Sequence, residues 1–166
     1  MGLCKRGRMA EKSSHELIVC ASLVENPMNL GGLCRTCEVF GVVQLVVANL
    51  AVLEDWGFRK LSASGHRWQP MAACAVNQLP AWMVAQQQAG YEVVALTAEP
   101  SAQLLTDCQF AQKTVLLLGR ELTGIPAELL ELCDLAVTIP QYGQVESLNV
   151  HTAGAIALYE YIRQQG

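Results

Sequence analysis

The chain of 166 residues is 52% hydrophobic and 16% charged, with a net charge of -4. That composition excludes a disordered chain and suffices for one domain with a sizeable core. The acidic balance excludes a broad electrostatic grip on nucleic acid, so any RNA contact has to be local, and no run approaches the ~20 apolar residues of a membrane span.

Residues 1–14, MGLCKRGRMAEKSS, are basic but lack the apolar stretch of a signal peptide. They read as a loose lead-in or the cut end of a linker, with the domain over 15–166 as part of a longer chain. ELIVCASLV (16–24) is rich in β-formers and stops at the breaker pair Asn26-Pro27, as a buried strand does. NLGGLCRTCEVF (29–40) predicts a helix stopped by Gly41, and VVQLVVA (42–48) a second strand. EDWGFRKLSASGHRWQP (54–70) is polar and basic and reads as a loop. MAACAV (71–76) predicts a strand, and PAWMVAQQQAG (80–90) a helix opened by proline and closed by glycine. YEVVALTA (91–98) and TVLLLG (114–119) are strands, IPAELLEL (125–132) is a short helix and LAVTIP (135–140) another strand. The last helix begins near Asn149. Strands alternate with helices and most are continuously apolar, so the expected class is α/β, a mostly parallel sheet with helices on both faces.

Seven cysteines at scattered positions make no paired framework, which suits a reducing, intracellular compartment, cytoplasmic or nuclear. Open α/β sheets bind ligands outside the carboxyl ends of their strands. No GxGxxG follows the first strand, and there is no GxxxxGK[ST] phosphate loop. The glycine-containing turns come late, at 119–124 and 142–144. Two loops that each leave an apolar strand can together wrap a small flat ligand.

Three blocks resemble the motifs of the SpoU (TrmH-like) family of SPOUT RNA 2′-O-methyltransferases. The first is NPMNLGGLCRTCEVFGV, with Asn29, Gly31 and Arg35; the second is LLLGRELTGIP, with Gly119, Glu121 and Gly124. The third, IPQYGQVESLNVHTAGAIALYE, holds Ile139, Pro140, Gly143, Ser147, Leu148 and Asn149, and its SLNV is the most specific part. The resemblance implies a carboxy-terminal trefoil knot, a homodimer packed through the last helix, and S-adenosyl-L-methionine as cofactor with S-adenosyl-L-homocysteine as product. It implies no metal, and an RNA substrate, tRNA, methylated on the ribose of a D-loop guanosine. In such a knot the polar stretch from Tyr142 to Ser147 lines the cofactor pocket. The pocket residues it implies are Leu96, Thr97, Gly119, Glu121, Ile139, Gln144, Leu148 and Asn149. The catalytic residues it implies are Asn29, Arg35, Glu121, Ser147 and Asn149.

Residue chemistry qualifies these roles. A lone helix arginine is ordinarily a solvated surface group, whereas the resemblance puts Arg35 at the ribose hydroxyl. A guanidinium is effectively always protonated, so holding a phosphate and stabilising an alkoxide suits it as well as acting as base. Ser147 and Asn149 stand where helix caps belong, and Glu121 where a helix-start carboxylate belongs. His151, where many family members carry serine, reads as a packed helix histidine. Cys34 and Cys37 form a CxxC, but with no second pair they read as buried small hydrophobes rather than a redox or zinc pair. Arg59, Lys60, His66 and Arg67, with Trp68, form either a solvated loop or, with Arg35, an RNA-contact surface. The rival to an enzyme is a catalytically inactive knotted module that binds RNA and cofactor; the five motif side chains favour the enzyme.

Overall fold

The computed structural model describes residues 16–145 and 147–166; residues 1–15, which include the lead-in, and Glu146 lie outside the described residues. Seven strands, β1 (Glu16–Cys20), β2 (Gln44–Val47), β3 (Met71–Ala73), β4 (Glu92–Leu96), β5 (Gln103–Leu104), β6 (Lys113–Leu118) and β7 (Leu135–Thr138), form one sheet. The order is β3-β2-β1-β6-β4-β7-β5, and every pairing is parallel. Among the described residues four α-helices connect them, α1 (Pro27–Phe40), α2 (Trp56–Ser62), α3 (Leu79–Gln88) and α4 (Ala127–Leu130), and α5 (Val150–Gln165) follows β7.

Strand side chains alternate between faces, so the apolar runs supply two cores at once. Leu17, Val19, Leu45, Leu116 and Leu118 pack under α1, Phe58 of α2 and α5. Ile18, Cys20, Val46, Val115 and Leu117 pack under Leu79 and Met83 of α3 and Leu129 of α4. Each such side chain contributes about 1.5–3 kcal/mol by burial, so the double coverage is the main stabilising term.

β1 ends at Cys20, short of the pair Asn26-Pro27 expected to stop it, and the pair opens α1 instead. The Asn26 side chain accepts from the Met28 N–H at 2.8 Å, and Pro27 occupies the first helical position, so α1 starts two residues before the predicted Asn29. Its Gly31 lets α2 cross close by, since a Cβ there would stand 2.5 Å from the Phe58 carbonyl oxygen.

Residues 54–70 depart from the loop expected of them. Leu50–Glu54 and Gly65–Arg67 are 3-10 turns around α2. The helix forms because the Asp55 carboxylate accepts from the Phe58 N–H at 3.0 Å and Phe58 is driven wholly into the core. Tertiary burial of one aromatic thus overrides a polar local composition. β5, only two residues long, offers no periodicity to read. The nearly uncharged α5 buries one stripe, Gly154, Ala157, Leu158 and Tyr161, and leaves Ile156 and Tyr159 exposed. No helix among the described residues is long and apolar enough to cross a membrane.

Candidate active site

β6, β4 and β7 are neighbours, so their carboxyl ends open onto one place. A cavity of about 440 Å³ lies there. Leu96 and Thr97 reach it from β4, and Gly119 and Glu121 from the turn after β6. Ile139 follows β7, and Ser147, Leu148 and Asn149 precede α5. Gln144 is outside the lining, where Gln141 stands instead. Residues 142–145 face solvent: Tyr142 is 95% and Val145 78% exposed.

The 119–124 turn is a tight hairpin. Arg120 and Gly124 exchange backbone hydrogen bonds of 2.9 and 3.1 Å, and a Cβ on Gly119 would lie 2.7 Å from the Gly124 carbonyl carbon. That closure presents Glu121 to α1. Its Oε1 accepts from Asn29 Nδ2 at 3.0 Å and from the Asn26 N–H at 3.4 Å. Asn29 Oδ1 in turn accepts from Asn149 Nδ2 at 3.0 Å. Asn149 Oδ1 accepts from the N–H groups of His151 (3.0 Å) and Thr152 (3.3 Å), capping α5. Ser147 makes no such cap; that role falls to Asn149 alone.

An amide offers donor and acceptor at opposite ends, so the carboxylate dictates which way Asn29 points, and Asn29 then dictates Asn149. Partial burial pushes the Glu121 carboxyl up. The Asn29 amide and the backbone N–H groups of Glu121, Asn26 and Glu25 outweigh it and hold the group below its ordinary value. Glu121 is therefore anionic at neutral pH.

Arg35 is not part of this array. It stands exposed on α1 outside the cavity lining and makes no hydrogen bond or ion pair among the described residues. The 65–67 turn packs against it, with a Gly65 Cβ only 3.3 Å from Arg35 Cα, so Arg35, His66 and Arg67 belong to one surface. Arg67 is exposed, whereas His66 Nδ1 bonds Ser62 Oγ at 2.8 Å. Arg59 donates to the Leu53 carbonyl at 2.7 Å and to Glu54 at 2.5 Å, and Lys60 lies 4.6 Å from the Trp56 ring centroid.

His151 joins the two helices. The Thr36 hydroxyl donates its one proton to the Gly32 carbonyl at 3.0 Å, so His151 Nε2, 3.0 Å from the same oxygen, is the donor there. The ring fills the place of a Gly32 side chain: a Cβ would lie 2.5 Å from Nδ1. Burial pushes the His151 pKa down. It is a packed histidine with a specific partner, and Thr36 had no signal of its own in the sequence. Nor had Asn26, whose cap role is visible only in hindsight from the Asn-Pro order. Cys34 and Cys37 are buried, and burial pushes Cys34 up to about 11 and Cys37 higher still, against any thiolate chemistry.

A parallel α/β sheet with a cavity at its strand ends, walled by the Glu121 carboxylate of a hairpin and the Asn149 amide that caps α5, defines a ligand-binding site, and Asn29 of α1, itself outside the lining, bonds both. Residues 16–159 match the model of the SpoU rRNA Methylase family, and the chain belongs to that family. It is 45% identical over 154 residues to mouse (Mus musculus) tRNA (guanosine(18)-2′-O)-methyltransferase TARBP1, covering 93% of this chain and 10% of that protein. The chain thus spans about a tenth of that relative's length. Among solved structures it is similar to the Aquifex aeolicus TrmH/SpoU tRNA modifying enzyme, with a TM-score of 0.80 and 30% identity over 93% of this chain and 77% of that one. It is similar also to the SpoU methyltransferase AviRb from Streptomyces viridochromogenes in complex with AdoMet, with a TM-score of 0.77 and 26% identity over 95% and 60%.

Proposed function

We propose that the chain is an S-adenosylmethionine-dependent methyltransferase acting on the ribose 2′-hydroxyl of RNA, with a D-loop guanosine of tRNA as target. The observation that carries this reading is the hydrogen-bonded series Glu121–Asn29–Asn149, which ties the three sequence blocks together and puts its two end members in the wall of one cavity. The residues present fit the cofactor. Leu96, Leu118, Ile139 and Leu148 offer an apolar slot for a flat purine, strand-end backbone groups offer polar contacts, and Glu121 offers a negative charge to a sulfonium. The AdoMet complex of a family member and the tRNA substrates in the relatives' names point the same way.

When bound, the cofactor supplies a methyl group on a cationic sulfur, already activated for transfer. The chain's own task is alignment and charge. Glu121 and Asn29 hold the amide of Asn149 in one orientation at the cavity wall. A carboxyl held below its ordinary value is a poor proton acceptor, so Glu121 serves as a fixed charge and an anchor. The Arg35 guanidinium stabilises the ribose oxygen as the hydroxyl proton passes to solvent water, and it grips the adjoining phosphate.

Arg35 does not line the cavity. On α5, Ile156 and Tyr159 are exposed, and the Tyr159 ring lies 6.4 Å from that of Phe40 at the end of α1. This supports a homodimer packed through these helices, in which the partner's Arg35 completes each site. Threading of α5 through the 139–149 loop as a trefoil knot belongs to the same reading. So does an intracellular setting within a longer protein, with 15–166 as the catalytic domain, 1–14 as lead-in, and further regions for RNA recognition.

Calorimetry with S-adenosylmethionine and transfer of labelled methyl to unmodified tRNA test the proposal. No heat of binding near millimolar ligand overturns the cofactor assignment. Light scattering should give about twice the 18.0 kDa chain mass; a monomer at tens of micromolar removes the shared site.

A further inference from the structure

A second cavity, of about 840 Å³, lies across the 119–124 hairpin from the first, and Arg120, Glu121 and Leu122 line both. Its opposite wall is Trp56, at the start of α2, with Met28 of α1 nearby. Trp56 is 71% exposed, Leu122 97% and Met28 46%. Three large apolar side chains around one cleft, none of them buried, form a surface suited to a flat apolar ligand. The Lys60 ammonium stands 4.6 Å from the Trp56 ring centroid, covering one face and leaving the other for stacking.

The polar edge of the cleft is acidic. Asp55 spends Oδ1 on the Phe58 N–H, whereas Glu25, ion-paired with Arg120 at 3.8 Å, has a side chain 81% exposed and keeps lone pairs that can accept. Three carboxylates, Glu25, Asp55 and Glu121, against one guanidinium disfavour a phosphate and favour a ligand with N–H donors.

We propose that this second cavity takes the base of the nucleotide being methylated, a guanine unstacked from RNA, lying on Trp56 with its N1–H and N2–H donated to Glu25. The inference rests on the methyltransferase reading above. That reading places the sulfonium and its methyl beside Glu121, so the 2′-hydroxyl that takes the methyl must come close to Glu121 as well, and the base hangs from the adjacent ribose carbon. The base must therefore occupy space directly beside the first cavity, and the cleft across the hairpin is that space. Enzymes that modify a nucleotide commonly unstack it and rebind its base on an aromatic wall, reading its Watson–Crick edge by hydrogen bonds.

Single-turnover methyl transfer to a tRNA transcript at saturating S-adenosylmethionine tests this. Trp56 is exposed, so its replacement leaves the fold intact. Trp56→Ala should lower kcat/KM about 10- to 100-fold, the scale of one lost base–aromatic stack, and Trp56→Phe should recover most of that loss. The cofactor affinity should not change. A transcript carrying inosine at the target position lacks the 2-amino group and should react about tenfold more slowly than the guanosine transcript, a preference that Glu25→Gln abolishes. Wild-type rates from Trp56→Ala, or a guanosine preference untouched by Glu25→Gln, overturn the base site while leaving the methyltransferase assignment standing. Failure of the wild-type chain to bind S-adenosylmethionine overturns that assignment instead. If the chain binds cofactor but transfers no methyl alone, GMP is titrated into it with S-adenosylhomocysteine present. Tryptophan quenching that Trp56→Ala removes and IMP reproduces only weakly supports the site, and no such quenching overturns it.

Discussion

Two polar surfaces of this molecule are built on opposite plans. At the strand ends, Glu121 and Asn149 stand 92 and 120 residues from Asn29 in sequence, and each is fastened to it by a 3.0 Å hydrogen bond. Around α2, the basic groups are either tied to near neighbours, as Arg59 is to Leu53 and Glu54, or left without a partner among the described residues, as Arg35 and Arg67 are. The first surface is preorganised before any ligand arrives; the second awaits one. A site that must hold a small cofactor in one pose gains from rigidity. A surface that meets a long polyanion gains from free cations whose counterions are released on contact.

The sharpest way to test this contrast is Arg35→Ala. A free cation that acts only on substrate should leave cofactor binding nearly intact and lower methyl transfer at least ~10²-fold. Arg35→Lys should restore little at any pH if the forked phosphate contact matters, because an ammonium cannot make it. Wild-type rates from Arg35→Ala remove it from the site.

Gly32→Ala attacks the rigid surface from beneath. The new methyl runs into the His151 ring and should cost about 1–3 kcal/mol of stability, read as a lower urea midpoint. His151→Ser in the same chain should return most of it by vacating the space. A Gly32→Ala chain as stable as wild type shows that the α1–α5 seam is loose.

Within the basic surface, Arg67→Glu and Arg59→Glu should differ. Arg67 is exposed and unpaired among the described residues, so its reversal should weaken RNA binding and lower the salt slope by about one. Arg59 already holds Glu54, an exposed pair of about 0–1 kcal/mol, so its loss should appear chiefly as a slight drop in Tm. Equal effects on RNA affinity break the distinction.

The smallest expected effect is the acid behaviour of Glu121. A carboxyl held below its ordinary value stabilises the fold fully above the unfolded value of 4.5, and that contribution is lost as pH falls through the lower folded pKa. The Tm difference between wild type and Glu121→Gln should be constant at neutral pH and vanish in acid. A difference that instead grows as pH falls reverses the sign assigned to Glu121.

The sequence alone determined the α/β class, the parallel sheet, most element positions and the three blocks that meet at the site, because continuous apolar strands, helix stops and the SLNV stretch are local signals. Asn29, Glu121 and Asn149 were legible as residues; their bonding was not. Only the tertiary structure decided that one carboxylate orients two amides, that Asn149 and not Ser147 caps α5, and that Gln144 gives its place to Gln141. It also turned a polar stretch into α2, since burying Phe58 against α1 outweighs the composition around it. Apart from the local cap of α5, these are contacts between segments far apart in the chain. No local pattern encodes them, because their energy depends on which strand end each segment leaves and how closely the helices can approach.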